Sequence, residues 1–355
     1  MKKNKYPEVI IELANTHGGS IKSLKSIISQ ASEVKYERKS IKFQIFSPDG
    51  IAVEEYDWYE TYKKITFNAK EWSSILTFSH KKFNRIWVDI FDDFGLKVIE
   101  KNQRYIYGIK LQASTLDNHR LIANLATIKL NKIKLMINIS GISLKKIDAI
   151  LKKFKKLNCQ EVILQFGFQN YPTTISDTAL QKISTLKKHF YEQICVADHS
   201  DANEEISKDI PIYALALGAN LVEKHFCISR AKAPYDSFSS LELDEFNTMT
   251  SKIKQFIESS NGKFIPTNES KYLKDSIQKP IICAQVKDGE MISFDKLLYK
   301  RTNENGLNIQ QIRDYQEKFY IFKESKFENQ TIKKRSLRKA RIGIICAGRM
   351  KSSRL

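Results

Sequence analysis

The sequence predicts an α/β protein built on a (β/α)8 barrel of the TIM type. Short runs rich in β-branched and aromatic residues recur eight times, and amphipathic segments separate them. Strands that alternate with helices form a parallel sheet, and eight such units in about 250 residues fit a closed barrel. An open, doubly wound sheet is the structural alternative, but no Gly-x-Gly-x-x-Gly motif follows a predicted strand.

The eight predicted strands are short and largely apolar. They are Val9–Asn15, Ile41–Phe46, Arg85–Ile90, Tyr105–Leu111, Ile133–Ile139, Glu161–Phe166, Gln193–Ala197 and Asn220–His225. Helical periodicity is clearest between them at Ile21–Ser32, Leu144–Leu157 and Asp177–Tyr191. A further helix is predicted at about Leu243–Ser259 and completes the barrel domain.

The composition changes after the barrel and predicts further segments. The predicted division is 1–260 for the barrel, 261–274 for a linker, 275–325 for a compact unit, and 326–355 for a basic linker with one more strand. Gly262 and Pro266 interrupt the polar linker. The compact unit contains the turn Lys287–Glu290 and the pair Lys300–Arg301, and the last strand is Ile342–Cys346.

Composition and charge restrict the possible partners of the chain. Hydrophobic residues make up 42% of the 355, no run of about 18 apolar residues occurs, and no secretory signal follows Met1. The five cysteines include no Cys-x-x-Cys pair, which disfavours disulfides and a thiolate zinc site. The net charge of +19 comes from lysines spread along helices without interleaved aromatic residues. We therefore expect a cytoplasmic protein that binds neither a membrane nor nucleic acid.

Two histidines stand at the ends of neighbouring predicted strands. His199 follows Asp198 at the seventh strand, and His225 follows Glu223 and Lys224 at the eighth. Adjacent barrel strands lie about 4.8 Å apart, so both imidazoles can share one metal ion. Imidazole nitrogens completed by oxygen ligands suit Mn, Zn or Fe, and the lack of a thiolate pair disfavours Zn. The alternative is two unrelated, hydrogen-bonded histidines.

Other polar residues end the same strands, and burying them is costly unless they bind something. They are Glu12, Asn15, His17, Lys42, Gln44, Asp89, Lys110, Asn138, Ser140, Gln165 and Glu223. Lys42 and Lys110 are suited to pair with a phosphate or a carboxylate, or to form a Schiff base. The alternative is that both lysines extend to solvent.

Several short motifs follow one another in a fixed order along the barrel. They are Glu12…Asn15-Thr16-His17-Gly18, Lys42-Phe43-Gln44, Tyr171-Pro172-Thr173, Asp198-His199-Ser200, Leu217-Gly218-Ala219, Glu223-Lys224-His225-Phe226, Pro234-Tyr235-Asp236 and Ser239-Ser240-Leu241-Glu242. With these motifs, over about residues 8–320, the chain resembles the sialic acid (nonulosonic acid) synthase family. The Asp-His and Glu-Lys-His-Phe motifs are the most specific part of the resemblance.

The resemblance implies an enzyme that condenses phosphoenolpyruvate with an N-acetylated hexosamine such as N-acetylmannosamine and releases phosphate. It implies that His199 and His225 hold a divalent ion, Mn or similar, which polarises the sugar aldehyde. Lys42 and Lys110 would bind the phosphate and carboxylate of phosphoenolpyruvate, with Ser140 nearby. The residues implied on the sugar side are Glu12, Gln44, Tyr171 and Asp236.

The segments after the barrel carry two further resemblances. The compact unit resembles the family's antifreeze-like C-terminal domain, which caps the active site of the partner subunit. A homodimer is therefore implied, in which Arg301 reaches the sugar across the interface. Residues Ile342–Leu355 resemble the start of a cytidylyltransferase-type domain, whose basic loop cradles a nucleotide phosphate. An unstructured basic tail is the alternative for these last residues.

The chain departs from the family pattern near the expected phosphate position. Ala113 and Thr115 stand where the family has a serine and a glutamate, and Ala197 replaces the serine before the Asp-His motif. The third strand ends in Val-Asp-Ile-Phe, which introduces Asp89, instead of the family's Ser-Thr-Pro-Phe. Without the glutamate, proton transfer needs another carboxylate at the barrel mouth. The candidate catalytic residues are Glu12, Asp89, Lys110 and Tyr171.

These departures keep two other functions open. One is a divergent barrel lyase or aldolase that acts on another sugar. The other is a non-catalytic sugar-binding or scaffold subunit, which would not need His199 and His225 as metal ligands. Bound metal on the purified protein would distinguish an enzyme from a scaffold.

Overall fold

Eight parallel strands form a closed barrel in the structure, which is a computed structural model that describes residues 6–167 and 172–341. The strands are β1 (Glu8–Glu12), β2 (Lys39–Ile45), β3 (Ile86–Ile90), β4 (Gly108–Leu111), β5 (Lys134–Asn138), β6 (Glu161–Phe166), β7 (Gln193–Asp198) and β8 (Leu221–Phe226). Each pairs with the next, and β1 also pairs with β8, which closes the barrel. The predicted barrel is therefore confirmed, and every predicted strand end lies within three residues of the observed one.

Helices surround the barrel and connect successive strands. They are α1 (Ile21–Ser32), α2 (Pro48–Ile51), α3 (Tyr59–Ile65), α4 (Ala69–His80), α5 (Asp93–Asn102), α6 (His119–Leu125), α7 (Leu144–Phe154), α8 (Lys182–His189), α9 (Ile210–Ala216) and α10 (Leu243–Ser260). A short strand, β9 (Ser240–Leu241), extends the sheet beside β8. Local sequence sets the helix starts, because Asn68 caps α4 in a capping box and the Ser143 side chain caps α7. Among the described residues, no helix combines the length and apolar character needed to cross a bilayer.

The barrel interior is apolar at its middle and polar at its carboxyl end. The apolar layer consists of Ile10, Trp87, Met136, Ile163, Cys195 and Leu221. Below it, the Trp87 indole donates a hydrogen bond to the buried Glu8 carboxylate at 2.9 Å. Gly108 leaves room for this indole, since a Cβ there would lie 2.2 Å from the ring. The apolar layer separates the two ends of the barrel interior, and in barrels of this kind ligand sites lie at the carboxyl end of the strands.

Residues after Asn261 form a second compact unit. Its elements are α11 (Thr267–Ser276), β10 (Lys279–Ile282), β11 (Leu297–Lys300), α12 (Ile309–Glu317), β12 (Tyr320–Phe322) and β13 (Leu337–Lys339). Two of our predicted boundaries need correction. The segment predicted as a linker at 261–274 contains most of α11, because that stretch carries helix-forming residues between Pro266 and the next strand. The pairing of β12 with β13 crosses the predicted boundary after residue 325, so the basic run belongs to the folded unit.

The second unit consists of two similar halves offset by 40 residues, which our sequence analysis missed. Ile281 pairs with Thr331, and at the equivalent positions Ile321 pairs with Met291. At the centre, the backbone groups of Val286 and Lys326 bond to each other in both directions at 3.0 Å. The halves therefore contact each other around an approximate two-fold axis. The resemblance of this unit to an antifreeze-like domain stays a prediction, and the predicted strand at 342–346 lies outside the described residues.

Candidate active site

Five charged side chains converge inside the carboxyl end of the barrel. The Nζ atom of Lys42 lies 2.6 Å from Oε1 of Glu223, 2.8 Å from Oε2 of Glu12 and 3.8 Å from Oδ2 of Asp89. The Nζ atom of Lys110 lies 3.3 Å from Oε1 of Glu223 and 3.4 Å from Oδ2 of Asp89. All five side chains are buried. Three carboxylates thus surround two ammonium groups, with almost no side-chain surface exposed.

Strand alternation and register explain this convergence. Side chains two residues apart on a strand share a face, and neighbouring strands align Glu12 with Lys42 and Asp89 with Lys110. Two amides complete the network, which we call the charged cluster. Gln165 Nε2 donates to Glu223 Oε2 at 2.8 Å, and Gln112 Nε2 donates to Asp89 Oδ2 at 2.6 Å.

The environment of the charged cluster shifts the pKa of its members. Desolvation lowers the pKa of Lys42 to about 8, although the nearby Glu223 and Asp89 carboxylates oppose the shift. Desolvation alone would raise the pKa of Glu223, but the Lys110 and Lys42 ammonium groups outweigh it and hold that pKa below its usual range. Both pKa values fall, but for different reasons. Two ammonium groups stabilise the Glu223 carboxylate, whereas burial and the Lys110 ammonium disfavour the charged form of Lys42. Lys42 is therefore an ammonium that releases its proton more easily than an ordinary lysine.

His199 and His225 lie next to each other beside the charged cluster, as the sequence predicted. Their ring centroids are 4.9 Å apart and their planes meet at 71°. Both residues are buried, and burial, followed by the neighbouring His199, lowers the pKa of His225 well below its usual value. Neutral imidazoles are the form that binds metal ions, and this separation fits two ligands about 2.1 Å from one ion.

The two imidazoles are compatible with a divalent ion, but they cannot complete its coordination. Within residues 6–167 and 172–341, no group of three or more His, Cys, Asp or Glu side chains is arranged to hold a metal. An ion here would therefore take its other ligands from water or substrate oxygens. Such a mixed nitrogen and oxygen donor set suits Mn or a similar ion.

Two loops at the rim of the barrel are fixed by predicted site residues. Asp236 has a left-handed backbone with φ of 55°, and its Oδ2 accepts hydrogen bonds from Asn15 N and Nδ2 at 3.0 and 3.2 Å. Burial raises the pKa of Asp236, against the effect of these hydrogen bonds. Ser140 donates from Oγ to the Gly167 carbonyl at 2.8 Å and joins the loops after β5 and β6. Gln44 is half-buried on β2, where it aligns with Asp89.

Two predicted site residues are not brought into this group by the described barrel. Arg301 belongs to the second unit, is exposed, and donates from Nε to the Ser276 carbonyl at 3.0 Å. Tyr171 lies outside the described residues. At the position of the family's glutamate, the hydroxyl of Thr115 is turned back to the Gln112 carbonyl at 2.9 Å.

Glu223 and Gln165 were among the predicted polar strand ends but were given no catalytic or binding role, and Gln112 was not singled out at all. Glu223 lies two residues before His225 on one strand, so alternation alone places both on the same face. That signal was visible in the sequence. The hydrogen bonds of the two glutamines depend on side-chain directions, which the strand pattern does not specify.

The chain is similar in sequence to proteins of one known family. A family model described as the NeuB family matches residues 27–265. A pseudaminic acid synthase of Campylobacter jejuni is 26% identical over 311 residues, covering 81% of this chain and 85% of that protein. An N,N'-diacetyllegionaminic acid synthase of the same species is 23% identical over 316 residues, covering 86% and 88%.

Solved structures show the same fold. The N-acetylneuraminic acid synthetase of Leptospira borgpetersenii, in complex with citrate, matches with a TM-score of 0.66 and 24% identity, over 76% of this chain and 90% of that one. Spore coat polysaccharide biosynthesis protein spsE of Bacillus subtilis matches with a TM-score of 0.61 and 17% identity, over 93% and 94%. At these identities the likeness concerns the fold alone.

Proposed function

The chain belongs to the NeuB family and is a synthase-like enzyme, and on that premise we propose that it condenses phosphoenolpyruvate with an N-acetylated hexosamine. The product would be a nonulosonic acid of the sialic type, with phosphate released. One observation carries the proposal: two ammonium groups and two imidazoles meet at the same end of one barrel. This combination suits an anionic enol and an aldehyde held side by side.

The lysines of the charged cluster are the proposed binding groups for phosphoenolpyruvate. Lys42 and Lys110 supply the positive charges that its phosphate and carboxylate require. In the structure these ammonium groups contact Glu12, Asp89 and Glu223, so the substrate must compete with carboxylates. A phosphate beside three carboxylates would be repelled, and binding therefore requires these carboxylates to move or to gain protons. Ser140, at the neighbouring strand end, is a further proposed contact.

His199 and His225 are the proposed ligands of a divalent ion, Mn or similar. Such an ion supplies Lewis-acid polarisation of a carbonyl oxygen when it is bound. The two rings lie with their centroids 4.9 Å apart, and burial lowers the pKa of His225, which favours the neutral form that ligation needs. The sugar aldehyde would lie on this side of the mouth, and the enol carbon of phosphoenolpyruvate on the lysine side.

Proton transfers accompany the proposed condensation. The enol carbon forms a bond to the aldehyde carbon, and the aldehyde oxygen takes up a proton. Water then adds to the carbon that bears the phosphate. The bond between this carbon and the bridging oxygen breaks, and phosphate leaves with that oxygen. Asp89 and Glu12 are the proposed carboxylates for these transfers, because both belong to the charged cluster and Thr115 cannot replace the family's glutamate.

The sugar is proposed to contact the rim of the barrel and a second subunit. The proposed sugar-side residues are Glu12, Gln44, Tyr171, Asp236 and Arg301. Arg301 would come from the second unit of a partner subunit, so the active enzyme would be a homodimer. Its exposed guanidinium uses Nε for Ser276, which leaves the NH1 and NH2 groups as possible donors to a sugar.

The test is release of phosphate by the purified protein with Mn²⁺, Mg²⁺ or Co²⁺. Phosphoenolpyruvate would be supplied with a panel of N-acetylated hexosamines that differ in stereochemistry. We expect phosphate release that needs both substrates and stops with a chelator. If no hexosamine supports release with any of these metals, the synthase proposal is wrong, and a different sugar chemistry or a binding role must replace it.

A further inference from the structure

A second buried ion pair joins the two strands that carry the histidines. Lys224 and Asp198 are partners in the register of β7 and β8, and Lys224 Nζ lies 2.7 Å from Asp198 Oδ2. Both side chains are almost fully buried. Because side chains alternate along a strand, Lys224 points to the opposite face from Glu223 and His225. The ion pair therefore lies outside the charged cluster and cannot contact a substrate bound there.

Lys224 also reaches the residue that follows His199. Its Nζ donates to Ser200 Oγ at 3.3 Å and to the Ser200 carbonyl at 3.4 Å. Ser200 in turn donates from its N–H and its hydroxyl to Asp198, each at 3.0 Å. Asp198 and Ser200 are the two neighbours of His199, and Lys224 directly precedes His225. The Lys224 ammonium group thus connects the residue before His225 to Asp198 and Ser200, the two residues that flank His199.

The backbone of His199 is held from two further directions. Its carbonyl accepts hydrogen bonds from Thr173 N at 2.8 Å and from Ser239 Oγ at 2.7 Å. The segment after β7 is consequently tied to three separate parts of the chain. Its spacing from β8 is set by the pairing of the two strands and by the contacts of Lys224.

The cost of this arrangement indicates a role beyond stability. A buried ion pair loses the hydration of both charges, and an apolar pair of similar volume often stabilises a protein equally well. We propose that the network of Lys224, Asp198 and Ser200 is a positioning device that sets the spacing of His199 and His225 for one shared divalent ion. The inference rests on the proposed metal site. Groups that hydrogen-bond to metal ligands typically change metal affinity about 10- to 100-fold, and we expect the same scale for a network that bonds to the residues beside the ligands.

The test is the affinity of the purified protein for Mn²⁺ alone, measured from the electron paramagnetic resonance signal of the free ion. In the double variant Asp198→Leu/Lys224→Met, apolar side chains replace both charges together, so that no charge is left buried without a partner. We expect the dissociation constant to rise about 10- to 100-fold while the melting temperature stays close to that of the wild type.

A matched control is the Lys134–Glu161 pair. It also joins register partners, on β5 and β6, with Nζ 2.8 Å from Oε2, but it lies at the amino ends of its strands. Glu161→Leu/Lys134→Met should leave Mn²⁺ affinity unchanged. Equal affinity in the wild type and in a folded Asp198→Leu/Lys224→Met variant would overturn the positioning role and leave the metal site standing. If the wild type binds no Mn²⁺, the proposed metal site fails, and this inference fails with it.

A second pair of variants covers the case in which the double variant does not fold. Ser200→Ala removes one hydroxyl and keeps the ion pair, and we expect it to weaken Mn²⁺ binding about 10-fold. Ser200→Thr restores the hydroxyl and should recover the affinity. If Ser200→Ala binds Mn²⁺ as tightly as the wild type does, the network does not position the histidines.

Discussion

Glu223 lies between two lysines, with its Oε1 atom 2.6 Å from Lys42 Nζ and 3.3 Å from Lys110 Nζ, in a part of the barrel without access to solvent. We predict that Glu223→Gln lowers the free energy of unfolding by about 3–5 kcal/mol, because each of two buried ammonium groups loses the carboxylate nearest to it. Urea denaturation in phosphate-free buffer measures this loss.

Glu161→Gln is the control for that variant. Glu161 pairs with Lys134 but is partly exposed, so its replacement should cost less than about 1 kcal/mol. Added phosphate should stabilise Glu223→Gln more than the wild type, since the anion would bind the lysines of the folded state. Equal unfolding free energies for Glu223→Gln and the wild type would contradict the prediction.

The metal site depends on both histidines. We predict that His199→Ala and His225→Ala each abolish Mn²⁺ binding in an isothermal titration, because one imidazole alone leaves the ion with a single protein ligand. His189→Ala is the control, since His189 is exposed at the end of α8. A His199→Ala protein that retains wild-type affinity would show that the two rings do not share an ion.

Replacement of Asp89 should separate chemistry from anion binding. We predict that Asp89→Asn lowers kcat for phosphate release about 100-fold, the usual scale for losing a proton-transfer group. The same variant should bind inorganic phosphate more tightly, because a negative charge 3.4 Å from Lys110 Nζ is removed. Asp117→Asn, at an exposed ion pair with Lys146, serves as the control. An unchanged kcat would exclude Asp89 from proton transfer.

His17 should make the protein sensitive to acid. Burial lowers its pKa from 6.5 to about 4, and its Nδ1 accepts a hydrogen bond from Gly19 N at 2.9 Å. Between pH 6.5 and 4 the unfolded chain binds a proton at His17 that the folded chain does not, so the free energy of unfolding decreases as the pH falls. His17 should account for about 3 kcal/mol of the decrease in the free energy of unfolding across this pH range.

Urea denaturation at several pH values tests the role of His17. His17→Asn keeps an acceptor for Gly19 but does not titrate, so its stability should change less between pH 6.5 and 4 than that of the wild type. His189→Asn, at an exposed position, should follow the wild type. Parallel pH profiles for His17→Asn and the wild type would show that His17 does not carry this sensitivity.

The proposed dimer predicts complementation between two inactive variants. If Arg301 acts in the partner's site, a mixed dimer of Arg301→Ala and His225→Ala contains one site with both residues intact. Random exchange of subunits should then restore about a quarter of the wild-type activity. Each variant alone should be nearly inactive. No recovery after mixing, in dimers shown to exchange, would place Arg301 and His225 of one chain in the same site.

The strands and the histidine pair were accessible from the sequence, whereas the charge balance around the lysines was not. Hydrophobic runs mark the β-strands. In a (β/α)8 barrel consecutive strands are neighbours, so His199 after β7 and His225 on β8 lie side by side. The carboxylates that surround Lys42 come from β1, β3 and β8. Their contacts depend on the tilt and curvature of the closed barrel, which no local pattern encodes.

The internal repeat was missed for a different reason. Its halves share backbone conformation more than side chains, as the turn residues Gly289 and Asn329 illustrate, with φ of 82° and 62°. The equivalent residues Ile292 and Ile332 are both buried isoleucines. Other equivalent positions carry unlike residues, such as Cys283 in the first half and Lys323 in the second. A pattern carried by turn geometry and a few core residues leaves little periodicity in the sequence.

The interlocked halves of the second unit determine where this protein can be shortened. Strand Tyr320–Phe322 needs Leu337–Lys339 as its partner, and Ile282 N donates to the Gln330 carbonyl at 2.9 Å. A chain that stops at residue 325 would lose both sets of partners at once and would present unpaired strand edges. Such edges recruit other chains, so truncation at that point would convert a folded unit into a source of aggregation.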